Sequence, residues 1–199
     1  MKFSALIIIT LFSFNSFAGF EVGLGINAGF VDFTDTTTTP EDNYSSLDVG
    51  FHLKTRAIMN FESLALGITA GRSWNNSAQS KGAISGSTST YAQTYYGPSI
   101  GYIVNGNARI NLEYYPYASH KYTYADDVSA NYFKTNDEIL GKGYGAGVTV
   151  LDGGFFYEFT FQVFTPDTVT LSEIEVDTGD PTFDKVGVNM TKLSMGMIF

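Results

Sequence analysis

Serine and histidine are the residues of this sequence that could together perform nucleophilic catalysis. A serine hydroxyl becomes an effective nucleophile when a general base such as histidine lies within hydrogen-bond reach. The chain has two histidines, His52 and His120. We expect Ser119 and His120 to form a solvated pair in a loop, whereas His52 lies among the cations Lys54 and Arg56. These positions assemble no Ser–His–acid triad, so we predict no catalytic residue and a protein that is not an enzyme.

Carboxylates are the second group with chemical potential, because hard cations such as Ca²⁺ prefer several oxygen ligands. The acidic side chains cluster in three of the segments that we predict to be loops. None of these clusters matches the D-x-D-x-D-G pattern of a calcium loop. We therefore expect solvated, negatively charged loops, no metal site and no cofactor. The residues are Asp35, Glu41, Asp42, Asp126, Asp127, Asp167, Glu173, Glu175, Asp177, Asp180 and Asp184.

The start of the chain is typical of a secretory signal peptide. A lysine at position 2 precedes an apolar run over residues 3–14, and small residues at positions 16 and 18 suit signal peptidase. The run is shorter than the roughly 20 residues of a membrane-spanning helix. We predict a signal peptide at residues 1–18 and one mature domain at residues 19–199. The absence of cysteine excludes both a lipidated N-terminus and a disulfide framework.

The composition favours strands and argues against a nucleic-acid partner. The chain has 17 Phe, 13 Tyr and 21 Gly, and its charged fraction of 16% is below the roughly 25% of soluble domains. Its mean hydropathy is zero, as expected when apolar and polar residues alternate along the strands of a membrane barrel. With 11 Lys and Arg against 20 Asp and Glu, the chain cannot build an extended phosphate-binding face.

Eight segments show the two-residue alternation of a half-buried strand. In the last one, Leu193, Met195, Met197 and Phe199 alternate with small or polar residues. In the fourth, Pro98 interrupts the pattern, and we predict a bulge there because proline cannot donate to a ladder. The predicted segments are Phe20–Phe33, Leu47–Met59, Leu64–Trp74, Tyr91–Val104, Ala108–Tyr117, Glu138–Leu151, Phe155–Val163 and Val186–Phe199.

The connections between these segments predict an antiparallel, closed sheet. They are short after the second, fourth and sixth segments, where Asn105-Gly106 and Asp152-Gly153-Gly154 are hairpin signals, and long elsewhere. Such alternation is typical of the two sides of a membrane barrel. Because lipid cannot pair with backbone groups, an even-numbered sheet must close there, with its last strand on its first. We predict an all-β, eight-stranded antiparallel up-and-down transmembrane β-barrel.

The face opposite the apolar one carries charges of both signs. In a soluble sandwich or lipocalin-like barrel, which is the alternative, the apolar face would point inward. The mixture of charges instead suits a narrow lumen in which the charges neutralise one another, with the apolar face toward lipid. Eight strands leave an interior just wide enough for side chains to fill, so we predict a plugged barrel with a polar core. The predicted lumenal charge network is Lys54, Arg56, Glu113, Glu158 and Lys192.

Together, the signal peptide, the eight alternating segments, the two glycine turns and the terminal Phe199 resemble the OmpA/OmpX-like family of small bacterial outer-membrane barrels. The resemblance covers nearly all of the predicted mature chain. It implies a location in the outer membrane, recognition of Phe199 by the barrel assembly machinery and a lumenal salt-bridge network. Some eight-stranded barrels modify lipid A, and one such deacylase family uses a His-x-Ser pair. Here the residues two positions after the histidines are Lys54 and Tyr122.

Arg72 and Lys142 have lipid-facing parity near the long-loop ends of their segments. They either snorkel to the interface or contact lipopolysaccharide phosphates, and the sequence leaves both open. Aromatic residues are expected in belts at both interfaces. The predicted outer belt is Trp74, Tyr91, Tyr44, Tyr117 and Tyr122, and the predicted periplasmic belt is Phe20, Phe61, Phe155 and Phe199.

Three functions stay open, of which we rank first a structural or surface-interaction barrel that displays long acidic extracellular loops to a surface ligand. The second is a narrow channel or transporter for small solutes, because Gly141, Gly143, Gly145 and Gly147 would leave lumen space, although we expect long Lys and Arg side chains to fill it. The third is a lipid A-modifying enzyme. Alternation over residues 171–177 further predicts a strand that projects beyond the bilayer, with an edge able to add a partner strand.

Overall fold

A computed structural model describes residues 17–35, 42–81, 88–125, 136–171, 174–177 and 185–199. The signal peptide predicted at residues 1–18 lies outside these ranges, apart from its last two positions. Within the described ranges, no helix has the length and apolar character to cross a membrane. The predicted loop carboxylates that lie outside the described residues are Glu41, Asp126, Asp127, Glu173, Asp180 and Asp184.

The described residues form one antiparallel sheet of nine strands, eight of which close into a barrel in chain order. The strands are β1 (Phe17–Asp35), β2 (Asp42–Phe61), β3 (Leu64–Lys81), β4 (Thr88–Val104), β5 (Ala108–Ala125), β6 (Glu138–Asp152), β7 (Phe155–Leu171), β8 (Ile174–Asp177) and β9 (Lys185–Ile198). Strand β6 pairs with β7, β7 with β9, and β9 with β1, which confirms the predicted closure of the last barrel strand on the first. The short strand β8 pairs with the end of β7 beyond the barrel.

The seam between β1 and β9 is a continuous ladder. Its register runs from Glu21 opposite Ile198 to Thr34 opposite Lys185. Beyond the last paired residue, Phe20 and Phe199 exchange two backbone hydrogen bonds: the Phe20 N–H donates at 3.1 Å and the Phe199 N–H at 2.9 Å. The final residue is therefore tied to the first strand through its backbone.

Hairpin turns close one end of the barrel, which we call the short-turn end, and the opposite end is the long-loop end. Both Gly153 and Gly154 have positive φ, 54° and 97°, as a two-residue type I′ connection requires. Asn105 and Gly106 also have positive φ, 52° and 75°, and Glu62 has φ 52° in the connection after β2. The predicted short connections are confirmed.

Several strands run further toward the long-loop end than their apolar alternation predicted. Strand β3 continues past Trp74 to Lys81, and β5 continues past Tyr117 to Ala125. A tilted crossing needs only about 9–11 residues, so these extensions rise beyond the bilayer. Outside the bilayer both faces of a strand can carry polar side chains, so the alternation of apolar and polar residues that marks the membrane-spanning segment is lost.

The outward surface of the barrel is apolar and the inward surface is largely polar, which confirms the predicted inside-out assignment. Outward side chains such as Leu24, Ile26 and Ile68 are 62–66% exposed. Inward polar side chains such as Asn27 and Thr149 are buried. The apolar face of each strand therefore lies on the outside of the barrel, where it can contact lipid.

Three proline positions coincide with irregularities on one wall. The ladder register shifts at Tyr96/Ser99 between β4 and β5, where Pro98 confirms the predicted bulge. A second shift, at Tyr115/Ala118, lies at Pro116. A third, between Leu140 and Gly141, lies where Gly141 pairs with Pro166 on β7. Proline has no N–H to donate, so each position tolerates a break in the ladder.

Inward glycines make room for large side chains that lie flat against the wall. A Cβ added at Gly143 or Gly145 would lie within 2.9 Å of the Tyr115 side chain. The lumen space above Gly143 and Gly145 is thus filled by Tyr115, and the expectation that long Lys and Arg side chains fill it is wrong at these two positions. At Gly71, an added Cβ would lie 2.3 Å from the Tyr95 hydroxyl oxygen.

Candidate functional site

The interior of the barrel holds the largest concentration of charged side chains, near the short-turn end. We call this set the ionic layer. It contains three cations and three carboxylates, contributed by β1, β2, β5 and β7, and each residue is at most 4% exposed. Their formal charges therefore cancel within the layer. The members are Glu21, Lys54, Arg56, Arg109, Glu113 and Glu158.

Arg56 is the centre of the ionic layer because it touches all three carboxylates. Its Nη1 lies 2.9 Å from Glu21 Oε2, and its Nη2 lies 2.8 Å from Glu158 Oε2. Nη2 also pairs with Glu113 Oε1. A buried charge is tolerated only when it is paired and hydrogen-bonded, and the planar guanidinium satisfies several acceptors at once.

Lys54 and Arg109 complete the layer on either side of this centre. Lys54 Nζ lies 2.9 Å from Glu113 Oε1 and also pairs with Glu158. Arg109 Nη2 lies 2.8 Å from Glu21 Oε2. Each carboxylate thus contacts two cations, and the layer is one connected network.

Hydroxyl groups satisfy the remaining lone pairs of the carboxylates. Thr69 donates to Glu113 at 3.1 Å. Thr149 and Thr160 donate to Glu158 at 2.8 and 2.9 Å. These neutral donors orient the acids without adding charge, so the network is well satisfied for a buried polar cluster.

The structure brings together four of the five residues predicted as a lumenal charge network, Lys54, Arg56, Glu113 and Glu158. Lys192 lies elsewhere: its Nζ donates to Gln93 Oε1 at 3.0 Å and sits 4.0 Å from the centre of the Tyr95 ring. A cation over an aromatic face is stabilised by the ring quadrupole.

Glu21 and Arg109 complete the charge balance, although the sequence prediction left them out. Both have inward parity on their strands, and Glu21 is directly opposite Arg56 in the β1–β2 register. The cross-strand pairing of Glu21 with Arg56 could have identified Glu21 as a member of the network, but only after the register of the two strands was known.

His52 lies above the ionic layer and has a serine partner that local sequence could not reveal. His52 Nε2 and Ser194 Oγ are 2.7 Å apart. Both residues are opposite Gly25 in the ladders of β1, and an added Cβ there would lie 2.7 Å from His52 Cε1. The glycine allows the imidazole to reach across β1 to β9.

This His–Ser pair lacks the third group that orients a catalytic base. Within the described residues, His52 Nδ1 has no hydrogen-bond partner. His52 is fully buried and Ser194 is 3% exposed. The pair is an interior hydrogen bond without access for a substrate in this conformation.

The expectation that Ser119 and His120 form a solvated loop pair is wrong. Both lie in the extended part of β5 and are buried, at 4% and 2% exposure. The His120 ring lies 4.4 Å from the Phe164 ring centre and 5.3 Å from that of Tyr91. Its Nε2 is 3.2 Å from the Gln93 amide nitrogen. The prediction failed because it ended the strand at the bilayer.

Aromatic residues fill the interior toward the long-loop end, and we call this set the aromatic layer. Tyr95 and Tyr115 meet edge to face with ring centres 4.7 Å apart, a favourable arrangement for two π-systems. The layer also includes Tyr91, Tyr122 and Phe164, each at most 5% exposed. The prediction of a polar core is therefore correct at the level of the ionic layer, and the core is aromatic at the level of Tyr91, Tyr95 and Tyr115.

The aromatic belt predicted at the long-loop side is only partly correct. Tyr91 and Tyr122 point inward, and the Tyr91 hydroxyl donates to Asp48 at 2.6 Å. Trp74 does point outward at 37% exposure. Tyr96 and Tyr117 stack with ring centres 5.0 Å apart. The side chain of Tyr44 lies outside those the structure describes. At the short-turn end, Phe20, Phe155 and Phe199 are 46–69% exposed and Phe61 is half-buried.

Arg72 and Lys142 both point outward, as their parity predicted. The Arg72 guanidinium lies 5.5 Å from the centre of the Trp74 ring. Lys142 Nζ lies 3.3 Å from Asp167 Oδ2, and both side chains are half-exposed. In the described part of the chain, no three His, Asp or Glu side chains come together in a way that could hold a metal ion.

The closed eight-stranded antiparallel sheet, with an apolar outer face and charges inside, is the fold of small bacterial outer-membrane β-barrels. No protein-family model and no curated protein sequence matches the chain.

Solved structures of such barrels do match. The attachment invasion locus protein Ail of Yersinia pestis is 15% identical, over 92% of this chain and 99% of Ail, with a TM-score of 0.53. A second Ail structure, in complex with the heparin analogue sucrose octasulfate, is 12% identical over the same shares, with a TM-score of 0.50. Neisserial surface protein A is 8% identical, over 88% of this chain and 96% of that one, with a TM-score of 0.51. At these identities the likeness establishes the fold.

Proposed function

We propose that this chain is a non-conducting outer-membrane barrel with a structural or surface-interaction role, in which a plugged barrel displays long acidic loops outside the cell. The observation that carries this proposal is the filled interior. The ionic layer lies at one level and the aromatic layer at another, and in both every member is at most 5% exposed. Phe156, at 2% exposure, adds an aromatic ring over Gly23 and Gly196 near the short-turn end.

Planar-bilayer conductance tests the closed lumen. The purified barrel is expected to give no sustained, sized openings under conditions in which a porin conducts. A variant with Tyr95→Ala and Tyr115→Ala is the matched control, because it removes two of the five rings of the aromatic layer and keeps all six charged side chains of the ionic layer, losing there only the hydrogen bond that the Tyr115 hydroxyl donates to Glu113. Sustained openings of uniform size from the unsubstituted barrel would favour the narrow transporter and overturn the proposal.

Catalysis on lipid A is the less favoured alternative. The His52–Ser194 pair is the arrangement nearest to a nucleophile and base, and its burial and missing acid argue against a role in acyl transfer. Mass spectrometry of lipid A from cells with and without the protein is expected to give identical spectra. A shifted acyl-chain mass that disappears with His52→Ala would establish the enzyme instead.

The charge of the loops suggests the chemistry of a surface ligand. The chain carries a formal net charge of −9, and the segments between strands hold several acidic residues. Ail was crystallised with a polyanion, whereas acidic loops favour a cationic partner. Vesicles containing this barrel are expected to bind immobilised polylysine and not heparin. Asp126→Asn with Asp127→Asn should weaken that binding, and equal binding to both matrices would count against loop charge as the determinant.

Two envelope partners complete the proposal. We expect the barrel assembly machinery to recognise Phe199, and outer-leaflet lipopolysaccharide to contact Arg72 and Lys142 through its phosphates. Lipopolysaccharide that co-purifies with the barrel should fall when both cations are replaced by Ala. Unchanged co-purification would leave snorkelling as the role of these two residues.

A further inference from the structure

The wall formed by β3 to β7 carries an outward groove of about 590 Å³. Most of its lining side chains point away from the lumen, into the space where the bilayer lies. Its volume is in the range of small-molecule pockets in proteins. The lining includes Leu66, Ile100, Leu112, Ala146, Phe161 and Val163.

The groove exists because this wall is irregular. Pro98 lines it and lies in the register shift between β4 and β5, next to the shift at Pro116 between β5 and β6. Bulges bend a sheet locally and increase its twist. The small side chain of Ala146 forms part of the floor, and the rings of Tyr114 and Tyr144, with centres 5.3 Å apart, stand beside it.

Charged and aromatic groups lie directly above the groove toward the long-loop end. Lys142 is on the same face of β6 as Tyr144 and Ala146, and in register it falls opposite the bulge that contains Tyr117. Lys142 is about ten residues from the short-turn end of β6, or about 26 Å along the bilayer normal for a tilted strand. That height matches the roughly 25 Å apolar band of an outer-membrane barrel, so Lys142 lies at the headgroup level.

Arg72 supplies a second cation on the other side of the same aromatic stack. The order around the wall is Arg72 on β3, Tyr96 on β4, Tyr117 on β5 and Lys142 on β6. Three strand spacings separate the two cations across the sheet, and Lys142 lies two residues along β6 from Leu140, the residue in register with Arg72, so the two Cα atoms are about 16 Å apart. A headgroup with two phosphates can span them, whereas a phospholipid with one phosphate reaches only one.

We propose that this wall is a specific lipopolysaccharide site, in which an acyl chain of lipid A occupies the groove while the two lipid A phosphates contact Arg72 and Lys142. This inference rests on the proposed contact of these cations with lipopolysaccharide and adds the groove as the determinant of binding. Association of apolar groups within a bilayer depends on close packing rather than on water, so a preformed groove offers contacts that a smooth wall lacks.

Substitution of Ala146 separates the groove from the cations. Ala146→Trp fills the groove, and Ala28→Trp is the matched control because Ala28 is also outward and exposed but lies on β1. Native mass spectrometry of barrels extracted from outer membranes measures the lipopolysaccharide retained. Ala146→Trp should lose retained lipopolysaccharide to the level of the Arg72→Ala, Lys142→Ala double variant, and Ala28→Trp should retain the unsubstituted amount.

Two other outcomes would contradict the proposal. If the Arg72→Ala, Lys142→Ala double variant loses lipopolysaccharide while Ala146→Trp does not, the groove does not determine binding, and only the contact of the two cations with phosphate is supported. If neither loses any, both are wrong. Titration of the refolded barrel with lipopolysaccharide and with phosphatidylglycerol separates the two lipid sources, and equal retention of both overturns the site as proposed. Asp167→Asn should increase lipopolysaccharide retention, because Asp167 competes with a phosphate for Lys142.

Discussion

Replacing Glu113 with Ala tests whether the ionic layer is held together by charge balance. Glu113 accepts hydrogen bonds from Lys54, Arg56, Thr69 and the Tyr115 hydroxyl, and its side chain is buried, with the residue 4% exposed. Without it, three buried cations face two carboxylates. Removal of one partner from a buried ion pair costs about 3–5 kcal/mol, which lowers the folding equilibrium constant by two to nearly four orders of magnitude.

A compensating substitution distinguishes charge balance from lost packing. Glu113→Ala combined with Lys54→Met leaves two cations with two carboxylates. We expect this double variant to be more stable than Glu113→Ala alone, because the uncompensated charge is gone. The control is Asp167→Ala, which breaks the half-exposed pair with Lys142 and should change the free energy of unfolding by at most about 1 kcal/mol.

The measurement is urea unfolding of barrels refolded into phospholipid vesicles. Trp74 is the single tryptophan of the chain, so its fluorescence follows the transition without added probes. Unfolding of Glu113→Ala at the same urea concentration as the unsubstituted chain would show that charge balance does not hold the ionic layer together. Costs of Lys54→Met and Glu113→Ala that simply add would also contradict it, since additivity would mean that the two residues do not interact.

Three further predictions use the same preparation. Gly71→Ala should cost about 1–3 kcal/mol of stability, because the new Cβ would lie 2.3 Å from the Tyr95 hydroxyl oxygen. The control is Gly19→Ala, whose new Cβ would have its nearest neighbour at 3.7 Å. Equal stability of the two variants would contradict the close packing of Tyr95 on Gly71. Trp74 fluorescence should be quenched more by phospholipids brominated near the headgroup than by those brominated at the bilayer centre. The reverse order would show that Trp74 lies in the hydrocarbon core and not in an interfacial aromatic belt. Phe199→Ser should lower the stability of the refolded barrel by only about 1 kcal/mol, because the ring loses contact with the membrane interface while the backbone bonds to Phe20 remain. In cells the same variant should assemble poorly into the outer membrane, and normal assembly would remove Phe199 as the recognised residue.

The membrane-spanning part of the fold was predictable because one physical constraint dominates it. Lipid on one side of every strand requires apolar residues at alternate positions, and Phe155, Tyr157, Phe159 and Phe161 follow this rule without exception. Gly153-Gly154 marked a hairpin because few other residues accept positive φ in succession. Strand number, order and closure followed from these two signals.

The region beyond the bilayer was not predictable in the same way. Tyr91 and Tyr122 carry both an apolar ring and a hydroxyl, so their type suits a membrane interface as well as a buried layer. Only the register of the extended strands places them inside. The contact between His52 and Ser194 was not predictable either, because it crosses Gly25 on an intervening strand and depends on the registers of two ladders at once.

The ladder between β1 and β9 has a consequence for the order of folding. It joins the first strand to the last, so closure must overcome the entropy of bringing together two segments separated by nearly the whole chain. Until the last strand arrives, β1 and β7 both present unpaired edges that can recruit the wrong neighbour. The unfolded polypeptide therefore depends on protection from aggregation until its last barrel strand pairs with the first.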